Sequence, residues 1–298
     1  MEISESNRII AQMMGGDTKQ FLDAHWRQSV LIAHDVLPEL RSFYNVSQFI
    51  DDYFNADVHA ASLVIDTVEG GRRFTIPTTS DVGIQAMRQG ASIALQAIRL
   101  PNNLPRIPEK WKWMVELHSA LCRYFLPGLP TSSFPGSPIS AVDIFCTLSE
   151  STTGGHYDTG DVFFLALEGE KVWTVELHPD LNVGTLDKQQ LLAGMDLEPT
   201  NEATTVVLSP GDCLYVPPYT YHRVRSKGPS LGVSFGLPSF NAIHLLAHKV
   251  SLLASRAEFT KLLPSAPENE YSMYSEARIE QHRHLRGLLE VLIEQLND

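Results

Sequence analysis

Between about residue 140 and residue 238 the chain reads as a train of short β-type runs, which constrains its fold more than any other feature. ISAVDIFCTL, DVFFLALEG, EKVWTVEL, ATTVVLSPGDCLYVPP and SLGVSFGL are rich in β-branched, aromatic and other apolar residues. Gly, Pro, Asp and Ser bound them, residues that close strands and open turns. Many short strands with little helix between them bury their apolar faces on one another, as a sandwich or jelly roll. The flanks read differently. Phe21, Leu22 and Trp26 have helical spacing and precede a β-rich run over Ser29–Ala33. Trp111, Met114, Val115, Leu117, Leu121 and Phe125 form a helical stripe that LPGLP stops, and TSSFPGSP is loop. Beyond Phe240, Ile243, Leu246, Val250 and Leu253 form one stripe, and Leu285, Leu288, Leu289, Leu292, Ile293 and Leu296 another. The expected class is mainly β with α. An α/β flank over 1–135 leads into a β core over 136–238 and a helical segment over 239–298.

The bulk numbers narrow the function. A formal net charge of −12 leaves direct phosphate binding without a basic face, so a nucleic-acid partner is not expected. No apolar run reaches the length of a membrane span, and MEISESNRII lacks the layout of a secretory signal. The three cysteines, Cys122, Cys146 and Cys213, are scattered and odd in number. That pattern fits a reducing cytoplasm without a disulfide framework.

One constellation carries chemistry. His156-Tyr157-Asp158 follows the Thr- and Gly-rich stretch SESTTGG, read here as a turn. In extended backbone residues i and i+2 share a side, so an imidazole and a carboxylate can meet at one point. His222 follows PGDCLYVPPYTY, a Gly-Asp turn, an apolar strand and a Pro-rich bend. Two histidines and one carboxylate form the facial triad of non-haem Fe(II) sites, with the opposite face open. His282 and His284, two apart on an expected helix, point away from each other and cannot share an ion.

TTGGHYDTGDVFFLALEGEKVWTV and SPGDCLYVPPYTYHRVRSKGPSLGVSFGL resemble the JmjC-type ribosomal oxygenases, cupin-like protein hydroxylases. GASIALQAI, the Trp111–Phe125 helix and FLDAHWRQSVLI extend the likeness over roughly residues 20 to 255. The resemblance implies a double-stranded β-helix, Fe(II), 2-oxoglutarate as cosubstrate, O2, and hydroxylation of a protein side chain. Carried over by residue, His156, Asp158 and His222 are the iron ligands. Lys171 pairs with the distal carboxylate of 2-oxoglutarate, Thr153 adds a hydroxyl contact and Ser234 a small polar one. The residues agree, since Lys171 and Trp173 share a face of an apolar strand, where an ammonium needs an anion or a way out to water.

Gly160 stands near the iron where that family often has a polar or bulky residue, so a different pocket shape is expected. The sequence ends after the helical segment, where the ribosomal oxygenases continue into a winged helix; a smaller partner than a ribosome is the expectation. Asp158 is retained, which argues against halogenation. The expected activity is hydroxylation of a peptide, protein or carrier-linked amino acid, with release of succinate and CO2, by a homodimer joined through the last helices. The alternatives are an oxygenase acting on a free metabolite, a zinc or manganese enzyme on the same barrel, and a non-catalytic cupin that only binds.

Overall fold

The computed structural model describes residues 3–42, 44–55, 62–66, 73–77, 80–90, 92–98, 111–126, 141–180 and 197–238, with isolated helical positions at Arg283, Arg286, Gly287, Glu290 and Ile293. The chain divides into two compact units, Met1–Ser239 and Phe240–Asp298. The helical stripes expected over 243–253 and over 285–296, and with them the dimer surface, lie almost wholly outside the described residues. Among those residues no helix is long and apolar enough to cross a membrane.

Eight consecutive strands build the core. They are β5 (Ala141–Thr147), β6 (Ser151–Tyr157), β7 (Asp161–Glu168), β8 (Lys171–Glu176), β9 (Ala203–Leu208), β10 (Cys213–Val216), β11 (Tyr221–Ser226) and β12 (Ser230–Leu237). They divide between two antiparallel sheets, with β10-β7-β12-β5 adjacent in one and β6-β11-β8-β9 making up the other. This is the double-stranded β-helix that the resemblance implies. The stretch STTGG, read from sequence as a turn, is instead most of β6.

The first 135 residues also supply strands to the larger sheet. β1 (Leu31–Ala33) extends it at the β10 edge, and β4 (Ser92–Ile98), β2 (Ser62–Asp66) and β3 (Arg73–Pro77) extend it beyond β5. Both faces of that sheet are covered. On β7 the alternation sends Phe163, Leu165 and Leu167 into an outer core, and Val162, Phe164 and Ala166 into the space between the sheets. A strand buried on both sides reads as one unbroken apolar run, which is why DVFFLALE shows no polar alternation.

The outer core rests on helices. α5 (Lys112–Phe125) buries Met114, Val115, Leu117, Leu121 and Cys122, the face expected from its spacing. α1 (Ile3–Met13) and α3 (Val46–Asn55) add Ile10, Met13, Phe49 and Ile50 to the same core. α2 (Thr18–Ala24) opens on Asp17, whose carboxylate accepts from the Gln20 amide at 2.9 Å. It ends before Trp26, and Leu22 is exposed, so the helical spacing of Phe21, Leu22 and Trp26 marks only Phe21 as helix core. Trp26 instead stacks on Phe125 at 4.2 Å.

Candidate metal centre

The smaller sheet ranks its inward side chains in three rows, because cross-strand partners share a face. His156, His222 and Val175 are aligned in the first row. Thr153, Val224, Trp173 and Val206 form the second, and Ser151, Ser226, Lys171 and Leu208 the third. Trp173, Val175, Val206 and Leu208 belong to the apolar cluster between the sheets, which identifies the inner face.

Thr153 and His156 are three apart, a spacing that in regular strand would put them on opposite sides. Between them the β6–β11 register slips, with Gly154 and Gly155 on β6 set against Arg223 alone on β11. This bulge restores Thr153 to the side of His156. Gly155 makes the local path possible. A Cβ there would stand 2.2 Å from the Leu197 carbonyl oxygen and 2.3 Å from the Tyr221 hydroxyl, and the Gly155 carbonyl accepts from the Leu197 amide at 2.8 Å. Gly155→Ala is therefore expected to cost about 1–3 kcal/mol of stability, the range for overpacking, and to lower metal affinity by displacing His156. Chemical denaturation together with a Mn(II) titration measures both.

The ligand-type atoms of His156, Asp158 and His222 all lie within 4.8 Å of one another. Asp158 Oδ2 is 3.5 Å from His222 Nε2, and the two imidazole centroids are 4.2 Å apart. Donors around one ion with bonds near 2 Å are separated by about 3–4 Å, so the set fits a single ion. The tautomers fit as well. His156 Nδ1 lies 2.8 Å from the Gly154 carbonyl and His222 Nδ1 3.0 Å from the Thr220 carbonyl. A carbonyl can only accept, so each Nδ1 carries the proton and each Nε2 keeps its lone pair for a metal. His222 is buried, whereas the Asp158 side chain is 46% exposed and marks the open end.

The backbone ties the two ligand-bearing turns together. The Tyr219 amide donates to the Asp158 carbonyl at 2.7 Å, and the Asp180 amide to the Tyr219 carbonyl at 2.9 Å. Tyr219 holds a left-handed φ of 58° to do so. Tyr157 and Tyr221, beside the ligands in sequence, alternate to the other face and pack edge to face at 5.7 Å. Tyr215 lies in the outer core and donates to Asp161 at 2.7 Å.

Gly160 has a steric reason of its own. A Cβ at this position would come 2.6 Å from the Leu237 carbonyl oxygen, so the close passage of β12 requires glycine here.

Lys171 is 3% exposed at the third row. Its Nζ donates to Ser226 Oγ at 3.1 Å, the one partner found among the described residues. Burial lowers its pKa from 10.5 to about 8, and the buried thiol of Cys146 acts weakly the other way. On the facing sheet Ser234, 8% exposed, is in register with Asp143 and Phe164. Phe164 belongs to the inner cluster, so Ser234 also faces inward, but from the opposite wall. Thr147 and Ser230, on strands of that sheet, hydrogen-bond through their hydroxyls at 2.8 Å.

Sequence reasoning singled out the ligands and Lys171. It missed Ser226, whose pairing depends on the β8–β11 register, and the two backbone carbonyls, which carry no residue signature.

Residues 132–245, which contain all of these side chains, match the JmjC domain family. That stretch is similar to JmjC domains. The chain is also similar over nearly its full length to a Bacillus subtilis (strain 168) protein, YxbC. The two are 21% identical over 297 residues, 92% of this chain and 83% of that one. It is 22% identical to a probable ribosomal oxygenase of Haemophilus influenzae, over 76% of this chain and 50% of that protein. Among solved structures, the Escherichia coli ribosomal oxygenase YcfD in complex with cobalt and 2-oxoglutarate superposes with a TM-score of 0.58 at 18% identity, over 92% of this chain and 66% of that one. The chain thus spans about half the length of the Haemophilus relative and two thirds of the E. coli structure.

Proposed function

We propose that this protein is a JmjC-type Fe(II)- and 2-oxoglutarate-dependent oxygenase that hydroxylates a C–H bond of a peptide or protein side chain. The observation that carries the reading is the convergence of one ligand atom each from His156, Asp158 and His222 within 4.8 Å of one another, beside a buried Lys171 ammonium on the same inner face. The solved E. coli relative, bound to cobalt and 2-oxoglutarate, supports it as a likeness of fold.

His156, Asp158 and His222 would hold the ion on one face and leave the other face to cosubstrate, O2 and substrate. When bound, iron and 2-oxoglutarate would activate O2, which is the oxidant: one oxygen atom enters the substrate C–H bond and the other the succinate that 2-oxoglutarate becomes on losing CO2. The protein supplies placement. Gly154 and Thr220 fix the two imidazoles through Nδ1. Lys171 takes the distal carboxylate, and Ser226 orients its ammonium. Thr153 and Ser234 offer hydroxyls from facing walls. Phe164, Trp173, Val175 and Val206 line the space between with apolar surface, which keeps water from the reacting centre. No proton has to be taken from the C–H bond by a side chain, so no general base is assigned.

The two relatives named as ribosomal oxygenases favour a protein substrate. The net charge of −12 favours peptides that are neutral or cationic, through an attraction that salt weakens. Self-association through the 239–298 segment is part of the same proposal, and light scattering at micromolar concentration tests it. The decisive experiment offers ribosomal proteins, basic and neutral peptides and free amino acids to the Fe(II)-loaded protein, and follows succinate release together with a gain of one oxygen by mass spectrometry. Saturable gain on a peptide is the expected result. Gain on a free amino acid alone would move the reading to a metabolite oxygenase, and succinate release from no substrate would leave a binding cupin.

A further inference from the structure

The three inward rows leave one buried donor unexplained. Trp173, in the middle row, is 4% exposed, and its buried Nε1–H has no hydrogen-bond partner among the described residues. Buried N–H groups are almost always satisfied, so an unmet one requires an explanation. Its row neighbours offer no acceptor on either side, since Val224 and Val206 are aliphatic. Its ring contacts are aromatic. It stacks on His222 at 5.7 Å and meets the Phe164 ring at 4.9 Å and 60°. Phenylalanine would keep the aromatic contacts; the larger ring and the N–H are what tryptophan adds. By contrast the indole of Trp111, buried in the outer core, donates to Tyr44 at 2.7 Å.

Position supplies the explanation. Rows two residues apart are separated by about 7 Å along the strands. A molecule held by the metal ligands at one end and by Lys171 at the other must cross the row that contains Trp173. Two under-satisfied buried donors, Lys171 Nζ and Trp173 Nε1, therefore sit at i and i+2 on one face of β8.

We propose that Trp173 is a positioning residue for the cosubstrate, its Nε1–H donating to an oxygen of 2-oxoglutarate as that molecule passes from the metal ligands to Lys171. The inference rests on the oxygenase reading and adds a contact to it. The stack on His222 and the edge contact with Phe164 fix the ring, so the donor is oriented before the ligand arrives.

Trp173→Phe keeps an aromatic ring and removes the donor. It is expected to leave Mn(II) affinity near wild type and to lower the melting temperature by only a few degrees, from lost packing, while 2-oxoglutarate binding to the Mn(II)-loaded protein weakens about five- to tenfold. A direct readout uses Zn(II)-loaded protein labelled with 15N in its four tryptophans. The indole proton resonance missing from Trp173→Phe should shift downfield in the wild type when 2-oxoglutarate is added. Unchanged affinity in the variant, or a resonance that does not move, overturns the proposal. So does a joint fall of melting temperature, Mn(II) affinity and 2-oxoglutarate affinity, which would mean that the indole only packs. If Trp173→Phe does not fold, Trp26→Phe, Trp111→Phe and Trp113→Phe assign the resonance by exclusion and the wild-type titration still decides. Absence of any 2-oxoglutarate binding to the metal-loaded wild type would instead bring down the oxygenase reading and this inference together.

Discussion

Alanine at His156, Asp158 or His222 is expected to abolish coupled turnover and to weaken Mn(II) or Fe(II) binding by at least about a hundredfold, more than loss of an outer partner of a ligand costs. The three donors lie within 4.8 Å of one another, and each histidine presents its Nε2 because a backbone carbonyl holds Nδ1. A fourth side chain to take over a lost position is not found among the described residues. The effect is on binding rather than on folding. His156 and Asp158 are not fully buried, so their removal empties little core. The metal-dependent rise in melting temperature should therefore vanish in each variant, while the metal-free melting temperature stays near wild type in His156→Ala and Asp158→Ala and falls in His222→Ala, whose side chain is buried. Full activity in any one of the three variants would remove that residue from the centre.

The part of this site that lay open in the sequence is the part governed by local periodicity. His156 and Asp158 satisfy the i, i+2 rule at the end of β6, and the Gly- and Pro-bounded runs mark most core strands without any knowledge of their partners. Lys171 and Trp173 share a face for the same reason. The stretch STTGG defeats that reading because its glycines are used inside a strand. They make the bulge that lets Thr153 face the metal end, and they admit the Leu197 backbone against Gly155. Adjacent glycines in a strand signal a bulge as readily as a turn, and only the long-range ladder to β11 decides between them.

Non-local register accounts for the rest. Ser226 becomes the partner of Lys171 only once β8 and β11 are aligned, and nothing within either strand specifies that alignment. The same holds for β1 to β4, which read as a separate flank but join the core sheet through edges that no local pattern announces. Tyr157 and Tyr221 illustrate the converse. They adjoin the ligands in sequence, yet strand alternation sends them to the other face.

Lys171→Met should move stability and cosubstrate affinity in opposite directions. Burial lowers the folded-state pKa from 10.5 to about 8, so below pH 8 the lysine is charged in both states and the fold carries the full cost of enclosing an ammonium. Over that interval the penalty is about 3 kcal/mol. Between pH 8 and 10.5 the unfolded chain holds the proton and the folded chain does not, so wild-type stability should rise with pH across this window. Methionine has a similar length and no charge, and should stabilise the metal-free protein at pH 7 by up to that amount. The same change removes the cation that meets the distal carboxylate, and 2-oxoglutarate affinity should fall about ten- to a hundredfold, the range for a charge-assisted bond. In the wild type that affinity should begin to decline above pH 8, by about tenfold per pH unit, since binding must then recover a proton for Lys171. In Lys171→Met this pH dependence should disappear. Denaturant titrations from pH 7 to 10 and calorimetry with the Mn(II)-loaded protein measure both arms. A variant that is less stable and still binds 2-oxoglutarate normally would show that Lys171 supports the barrel rather than the cosubstrate.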